Sequence, residues 1–272
     1  MTAIPVRRMQ FDFPEVLDPL IVVGDPEVSY SFIGISLLLP YLEPYLIRTM
    51  KAARPRVQDP ALLADLDAFN GQEGQHYKQH RAFNAAIRAA GFPELEGLER
   101  EVEADYQRFT RENSLEWNLA FAEGFEALTT ATARFSFERG IDEMIPVARD
   151  LFAWHLVEEF EHRTVAFEVY DHVCGSYGYR VRVGGYAQWH TIRFAARVSR
   201  QLSRSNPAAF ERCGGWSGLA KRQATLLRDV ARGLLPKLLR TYARGYTPRE
   251  IAMPPLAQQL GLAYSERAAR IS

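Results

Sequence analysis

Glu73 and His76 stand three residues apart in QEGQHYKQH, and Glu159 and His162 repeat that spacing in WHLVEEFEHRTVAFEVY. Residues three or four apart share one face of an α-helix. His80 lies one turn beyond His76, and His155 one turn before Glu159. Glu73, His76 and His80 therefore line one stripe, and His155, Glu159 and His162 another. Four of the chain's six histidines fall in these two clusters, inside apolar helical stretches. A single Glu-x-x-His is an accident that any helix can carry. Two of them, with glutamates on two further helices, constrain the chain to an all-α bundle that turns those faces inward.

The two further helices supply Glu43, within LLPYLEPYLI, and Glu123 and Glu126, within AEGFEALTT. Glu43 is the one carboxylate inside the first helical run, so its burial asks for a metal or a proton. Glu123 and Glu126 share a face; Glu126 borders Thr129 and Thr130 and is preferred, with Glu123 as the alternative. A glutamate from each of two helices plus Glu-x-x-His from two others is the ligand set of a two-metal site in a four-helix bundle. The expected ligands are Glu43, Glu73, His76, Glu126, Glu159 and His162. His80 and His155 are either further ligands or donors that orient them. Oxygen and nitrogen ligands without thiolate favour two iron ions, with manganese or zinc as substitutes. Glu158 and Glu161 flank the cluster and point elsewhere, as solvated or arginine-paired groups. Gly124 either permits close helix approach or leaves room for a substrate. Tyr41, Tyr45, Tyr77 and Trp154 line a pocket or pack in the core, the second being the simpler account.

Start and stop signals organise the chain. Residues 1–28 read as a proline-bearing arm. A first helix runs to about Ala53, bent or confined by Pro40 and Pro44. Asp59-Pro60 opens a second, which Gly91-Phe92-Pro93 stops. A third runs from about Leu98 to Arg139, interrupted near Asn113 and ended by Gly140; a fourth runs from about Ile145 to Val173. These form a metal-binding bundle over residues 29–178. Residues 179–272 form a helical extension packed on it, with a loop preferred over a short strand at the loosely alternating Tyr179–Tyr186, and helices from about Gln188 to Leu202, from about Ser217 to Ala243, and at the C-terminus. No strand–helix alternation, GxGxxG or P-loop motif is present, which argues against a doubly wound sheet.

Composition excludes some classes. Lys plus Arg and Asp plus Glu both number 33, a balance that argues against gripping nucleic acid. Cys174 and Cys213 form no CxxC pair and read as free thiols in a reducing compartment. The N-terminal sequence lacks an apolar signal region, so a cytoplasmic location is expected. The most apolar run, Tyr30–Ile47, holds two prolines and Glu43, which suits a buried bundle helix better than a membrane span. Its aromatic surroundings leave room for peripheral membrane contact.

With these motifs the chain resembles a family of bacterial proteins labelled predicted metal-dependent hydrolases, which look like members of the ferritin-like superfamily. The resemblance is carried by LLPYLEPYL, QEGQHYKQH, FEALTT and, most specifically, WHLVEEFEHRTVAFEVY. It implies Glu126 rather than Glu123 as the third-helix ligand. The chain departs from the family at Ala127, where a histidine is usual, at Leu42, where a glycine is frequent, and in YTPREIAMPP, which lacks a histidine. The same ligand pattern resembles the di-iron carboxylate oxygenases. That likeness implies an O2-dependent di-iron oxygenase or oxidase acting on a small hydrophobic molecule, with dioxygen and an external electron donor as partners. Dinuclear metal-dependent hydrolysis is the alternative, and an iron-binding bundle without catalysis is a third. Arg193, Arg197, Arg200 and Arg204 recur at helical spacing, as a solvated face, a donor-docking surface or a homodimer contact.

Overall fold

A computed structural model describes residues 3–139, 141 and 143–271 of the chain. The described residues contain eleven α-helices and no sheet; Val22 and Met144 form one isolated bridge. Helix α1 spans Pro26–Ala53, and its start is built by Asp25, whose carboxylate accepts from the Val28 amide (3.0 Å) ahead of Pro26. It continues through Pro40 and Pro44 instead of being confined by them. Each proline forfeits a helical hydrogen bond, yet the surrounding helices bury most of this segment. By length and hydropathy α1 matches a membrane span, and about two thirds of its most apolar window is buried against other helices.

Helix α2 spans Pro60–Ala89, with Asp59 accepting from the Ala61 amide (2.8 Å). The expected third helix is two, α3 (Leu95–Glu112) and α4 (Leu115–Arg139), broken at Asn113-Ser114. The predicted stop at Gly140 lies outside the described residues. The expected fourth helix is also two, α5 (Pro146–His162) and α6 (Val165–Val173). Arg163 marks the break, donating its guanidinium to the Phe160 carbonyl at the end of α5 and to Pro248 O (3.2 Å). Helix ends leave such carbonyls without intrahelical partners.

Four helices close a ring: α1 adjoins α2 and α4, and α5 adjoins the same two. This all-α architecture, with its inward Glu/His clusters, is that of ferritin-like four-helix-bundle metalloproteins. A long fifth helix, α7 (Tyr177–Ser205), lies across α1 and α4. It begins eleven residues before the helix expected from the sequence, and the loop expected at Tyr179–Tyr186 is helical. Glycines decide that packing. A Cβ on Gly124 of α4 would stand 2.2 Å from Gly184 Cα of α7, and one on Gly34 of α1 would stand 2.8 Å from Ala195 Cα. Gly124 thus serves close helix approach and not substrate room. Gly124→Ala must push two backbones apart, so a loss of about 1–3 kcal/mol or more is expected; an unchanged urea midpoint would refute this account.

Beyond α7 lie α8 (Pro207–Arg212), α9 (Gly215–Asp229), α10 (Leu235–Arg240) and α11 (Pro255–Ile271). The single helix expected over 217–243 is interrupted by a π turn at Val230–Leu234. Pro236, which has no amide hydrogen to donate, follows that turn. The N-terminal arm is irregular, as expected, but not loose. Leu17 N donates to Ala86 O (3.0 Å), Gln79 Nε2 to Met9 O (2.7 Å) and Gln72 Nε2 to Pro5 O (2.8 Å), which straps the arm along α2.

Candidate metal centre

Glu43 of α1, Glu73 and His76 of α2, Glu126 of α4, and His155, Glu159 and His162 of α5 converge in the bundle. None is more than 4% exposed. Their ligand atoms form three triads, Glu43–His76–His155, Glu73–Glu126–His162 and Glu73–His76–Glu159, with atoms in each within 4.8 Å of one another. His162 Nε2 lies 3.4 Å from Glu73 Oε1 and from Glu126 Oε2, and 3.5 Å from Glu159 Oε2. His76 Nδ1 lies 3.9 Å from Oε1 of both Glu73 and Glu159. His155 Nε2 is 3.1 Å from Glu159 Oε1.

The outer hydrogen bonds fix which imidazole nitrogen faces inward. Gln72 Nε2 donates to Pro5 O and to Glu161 Oε2 (2.8 Å each), so Gln72 Oε1 must accept from His162 Nδ1–H (2.8 Å). Glu158 Oε2 accepts from His76 Nε2–H (3.0 Å). A third chain orients His155. Asn84 Nδ2 donates to Ser36 O (2.8 Å), so its Oδ1 accepts the Ser36 hydroxyl proton (2.6 Å). Ser36 Oγ must then accept from His80 Nδ1–H (2.8 Å), and His80 Nε2 accepts from His155 Nδ1–H (3.1 Å). In neutral imidazoles this leaves His162 Nε2, His76 Nδ1 and His155 Nε2 with lone pairs aimed at the carboxylates.

That arrangement fits divalent cations. Both oxygens of Glu43, Glu73 and Glu126, Glu159 Oε2, His76 Nδ1 and His162 Nε2 are buried and have no hydrogen-bond partner. Buried polar groups are ordinarily paired, and buried charges more so. Four carboxylates facing three imidazole lone pairs offer the oxygen and nitrogen donors that divalent transition metals prefer.

Two expected site residues stand outside the triads. Glu123, the alternative on α4, pairs with Arg180 (2.9 Å) and faces α7. His80 has both ring nitrogens taken, Nδ1 donating to Ser36 and Nε2 accepting from His155, so it is placed to orient His155 as an acceptor and not as the donor expected. The parts that three other residues play around the cluster escaped sequence reasoning, although the arginine pairing expected of Glu158 is present. Glu158 has no exposed side-chain surface; it is neither solvated nor merely arginine-paired, because it also holds His76 and accepts from Trp154 Nε1 (2.9 Å). Arg7 of the arm donates to Glu158 (3.0 Å) and Glu161 (2.7 Å). Gln72 sits one position before Glu73 and holds His162. Among the aromatics, Trp154 packs edge-on against His76 and Phe69 against His162, with centroids 4.9 and 4.8 Å apart. Tyr45 stacks on Tyr106 in the core.

Burial and crowding shape the protonation of the metal-free cluster. Burial first, then the carboxylates of Glu73, Glu159 and Glu126, push Glu43 well above the usual range. Burial raises Glu73 similarly, with His162 opposing and Glu126 and Glu159 reinforcing. Burial, reinforced by Glu159, lifts Glu126 to about 7. Burial would also raise Glu159, but His162 and His155 hold it well below the usual range. His162 goes up despite burial, because Glu159 and Glu126 favour its protonated form. A raised carboxylate pKa means that the folded chain holds a proton that the unfolded chain has released. Metal-free stability should therefore fall as pH rises from about 4.5 to about 7, the span of the Glu126 shift. The raised His162 acts in the same direction, since the stability it gives is lost as pH climbs through its folded value, whereas His76 and His80, which burial holds well below the usual range, oppose the trend up to about 6.5 without outweighing the three raised carboxyls. The expected loss is on the order of a few kcal/mol, and metal loading should largely remove it. Thermal melts of chelated and loaded protein across that span check this; a flat metal-free profile would contradict it.

A family model described as "Predicted metal-dependent hydrolase" matches residues 5–252. The chain belongs to that family. No curated protein and no solved structure gives a significant match. Membership corrects the expectation of an O2-dependent di-iron oxygenase or oxidase, because the family description names hydrolysis. The physical reason for the misreading is plain: carboxylates and imidazoles bind redox-inert Lewis acids as readily as iron, so the donor set does not select oxygen chemistry. Dioxygen and an external electron donor were required only by that reading.

Proposed function

We propose that this member of the family is a dinuclear metal-dependent hydrolase. The observation that carries the reading is the convergence of unpartnered carboxylate and imidazole donors in a chain of a predicted hydrolase family. Glu43, His76 and His155 would hold one ion, and Glu126 and His162 the other. Glu73 belongs to triads on both sides, and Glu159 turns Oε1 toward His155 and Oε2 toward His162, so these two are suited to bridge. Bound zinc or manganese supplies an activated water and a positive clamp for the charge that develops on the scissile group. The protein's share is orientation and dryness. The chains Gln72–His162, Glu158–His76 and Asn84–Ser36–His80–His155 would fix the tautomer in which each neutral imidazole turns its lone pair to the ions, while Trp154 and Phe69 pack against His76 and His162, and Phe152 against His80.

The test is chelation followed by reconstitution with zinc or manganese, metal counting, and a screen of chromogenic esters, amides and phosphodiesters. Activity lost on chelation and restored at about two ions per chain is expected. Full loading with turnover in none of the three classes would overturn the reading.

A further inference from the structure

A cavity of about 940 Å³ opens beside the metal centre. Its walls are Phe32, Ile35 and Leu39 of α1, Phe125 and Leu128 of α4, and Phe152 of α5, with α7 opposite and α9–α10 as the roof. His155 is both a lining residue and a member of a metal-site triad, so the cavity reaches the cluster through that residue. The volume lies at the upper end of ligand sites, commonly about 300–1,000 Å³, and the lining is dominated by apolar side chains. The roof differs from the other walls: α9, the π turn and α10 bury no side chain fully, which makes it the easiest side to open for a ligand.

We propose that the cavity holds the hydrocarbon chain of a long-chain acyl ester, with the ester group at the His155 end. This substrate class rests on the hydrolase reading above. In the reaction a water oxygen joins the acyl carbon, the bond from that carbon to the alkoxy oxygen breaks, and the departing oxygen takes a proton. The products are a fatty acid and an alcohol. The fatty acid occupies the same cavity, so chain binding is measurable without turnover.

The experiment uses full-length, zinc-loaded protein, a dansyl-labelled fatty acid as fluorescent probe, and unlabelled fatty acids of increasing length as competitors. Affinity should rise about three- to fourfold per added methylene while the chain is still entering the cavity. Chelation should weaken binding, because the buried carboxylates then face the ligand's head uncompensated. Thr132→Trp projects into the cavity from α4 and should abolish chain binding while the metal count stays at the unmodified level, which separates filling from misfolding. Affinity independent of chain length, or unchanged in a metal-loaded Thr132→Trp protein, overturns the proposal. Length-dependent binding without ester turnover supports the cavity assignment and counts against hydrolysis. Turnover of acetyl and palmitoyl esters alike, with no length-dependent binding, leaves hydrolysis standing and overturns the cavity assignment.

Discussion

Glu43→Gln is expected to stabilise the metal-free protein and weaken its hold on metal at the same time. Glu43 is 1% exposed, neither oxygen has a donor, and burial together with three neighbouring carboxylates drives its pKa up. Above neutral pH the metal-free fold must either keep a proton there or bear a further buried charge. The amide removes that penalty, and a gain of about 1–3 kcal/mol in the metal-free state is expected, since an uncompensated buried charge costs several. In the loaded state the same change deletes a ligand. The affinity loss should exceed the ~10–100-fold seen when an outer partner of a ligand is removed. Melting the variant with and without zinc checks both halves, because the metal-induced shift should shrink from both ends. If the variant loses stability equally in both states, Glu43 is an ordinary core residue and the cluster is not organised around cations. Opposed effects are the signature of a site that sacrifices stability for chemistry.

The residues that face the cluster were legible because helical spacing is a local property. Glu73 to His76 and Glu159 to His162 share faces whatever the rest of the chain does. The position of Glu43 followed from an apolar helical run in which one carboxylate stands out, and that of Glu126 over Glu123 from its Thr129 and Thr130 neighbours and from the family resemblance. What a single face does not reveal is depth. His80 shares the stripe of His76, yet Ser36 and Asn84 occupy its outer nitrogen, and neither is near it in sequence. Glu158 adjoins Glu159 and points about 100° away around the helix, toward what reads as solvent. It is buried because the arm covers that side. The signal that could have found it is the trio Trp154, Glu158 and Glu161, three or four apart on one face, with a tryptophan that a solvated face seldom carries.

Helix α7 was harder for a different reason. The segment Tyr179–Tyr186 alternates loosely and reads as a loop, and Gly178, Gly184 and Gly185 lower its helix propensity. Gly184 is nonetheless where the helix meets Gly124 of α4 most closely, so the feature that weakens the isolated helix is the one that lets it dock. Tertiary packing overrides propensity here, and the partner glycine lies sixty residues upstream. The misreading of the chemistry has a similar root. Sequence spacing identifies donors and their faces; whether the bound ions serve redox or Lewis-acid chemistry is not written in that spacing.

Arg7→Met should cost about 3–5 kcal/mol and lower metal affinity about 10–100-fold, although Arg7 touches no ligand. Its guanidinium reaches Glu158 and Glu161 on α5, and Ser265 and Gly261 O on α11 (2.9 and 3.2 Å). Glu158 holds Nε2 of His76, while Glu161 holds Gln72, which holds Nδ1 of His162. One arginine on the arm therefore braces a ligand histidine of each proposed metal position. Removing it leaves Glu158 buried and unpaired, and burial already lifts that carboxyl to about 7 with Arg7 opposing the rise. Without the guanidinium Glu158 would take up a proton near neutral pH, and a neutral acid orients His76 less firmly than a carboxylate. Arg7→Lys should recover only part of the loss, because an ammonium cannot span both carboxylates as the planar fork does. Metal titration beside thermal melts separates the possibilities. A strap alone would lower stability equally in metal-free and loaded protein and leave affinity untouched. A brace on the histidines must also weaken metal binding, and it should weaken it more as the pH is lowered toward the range where Glu158 and His76 gain protons.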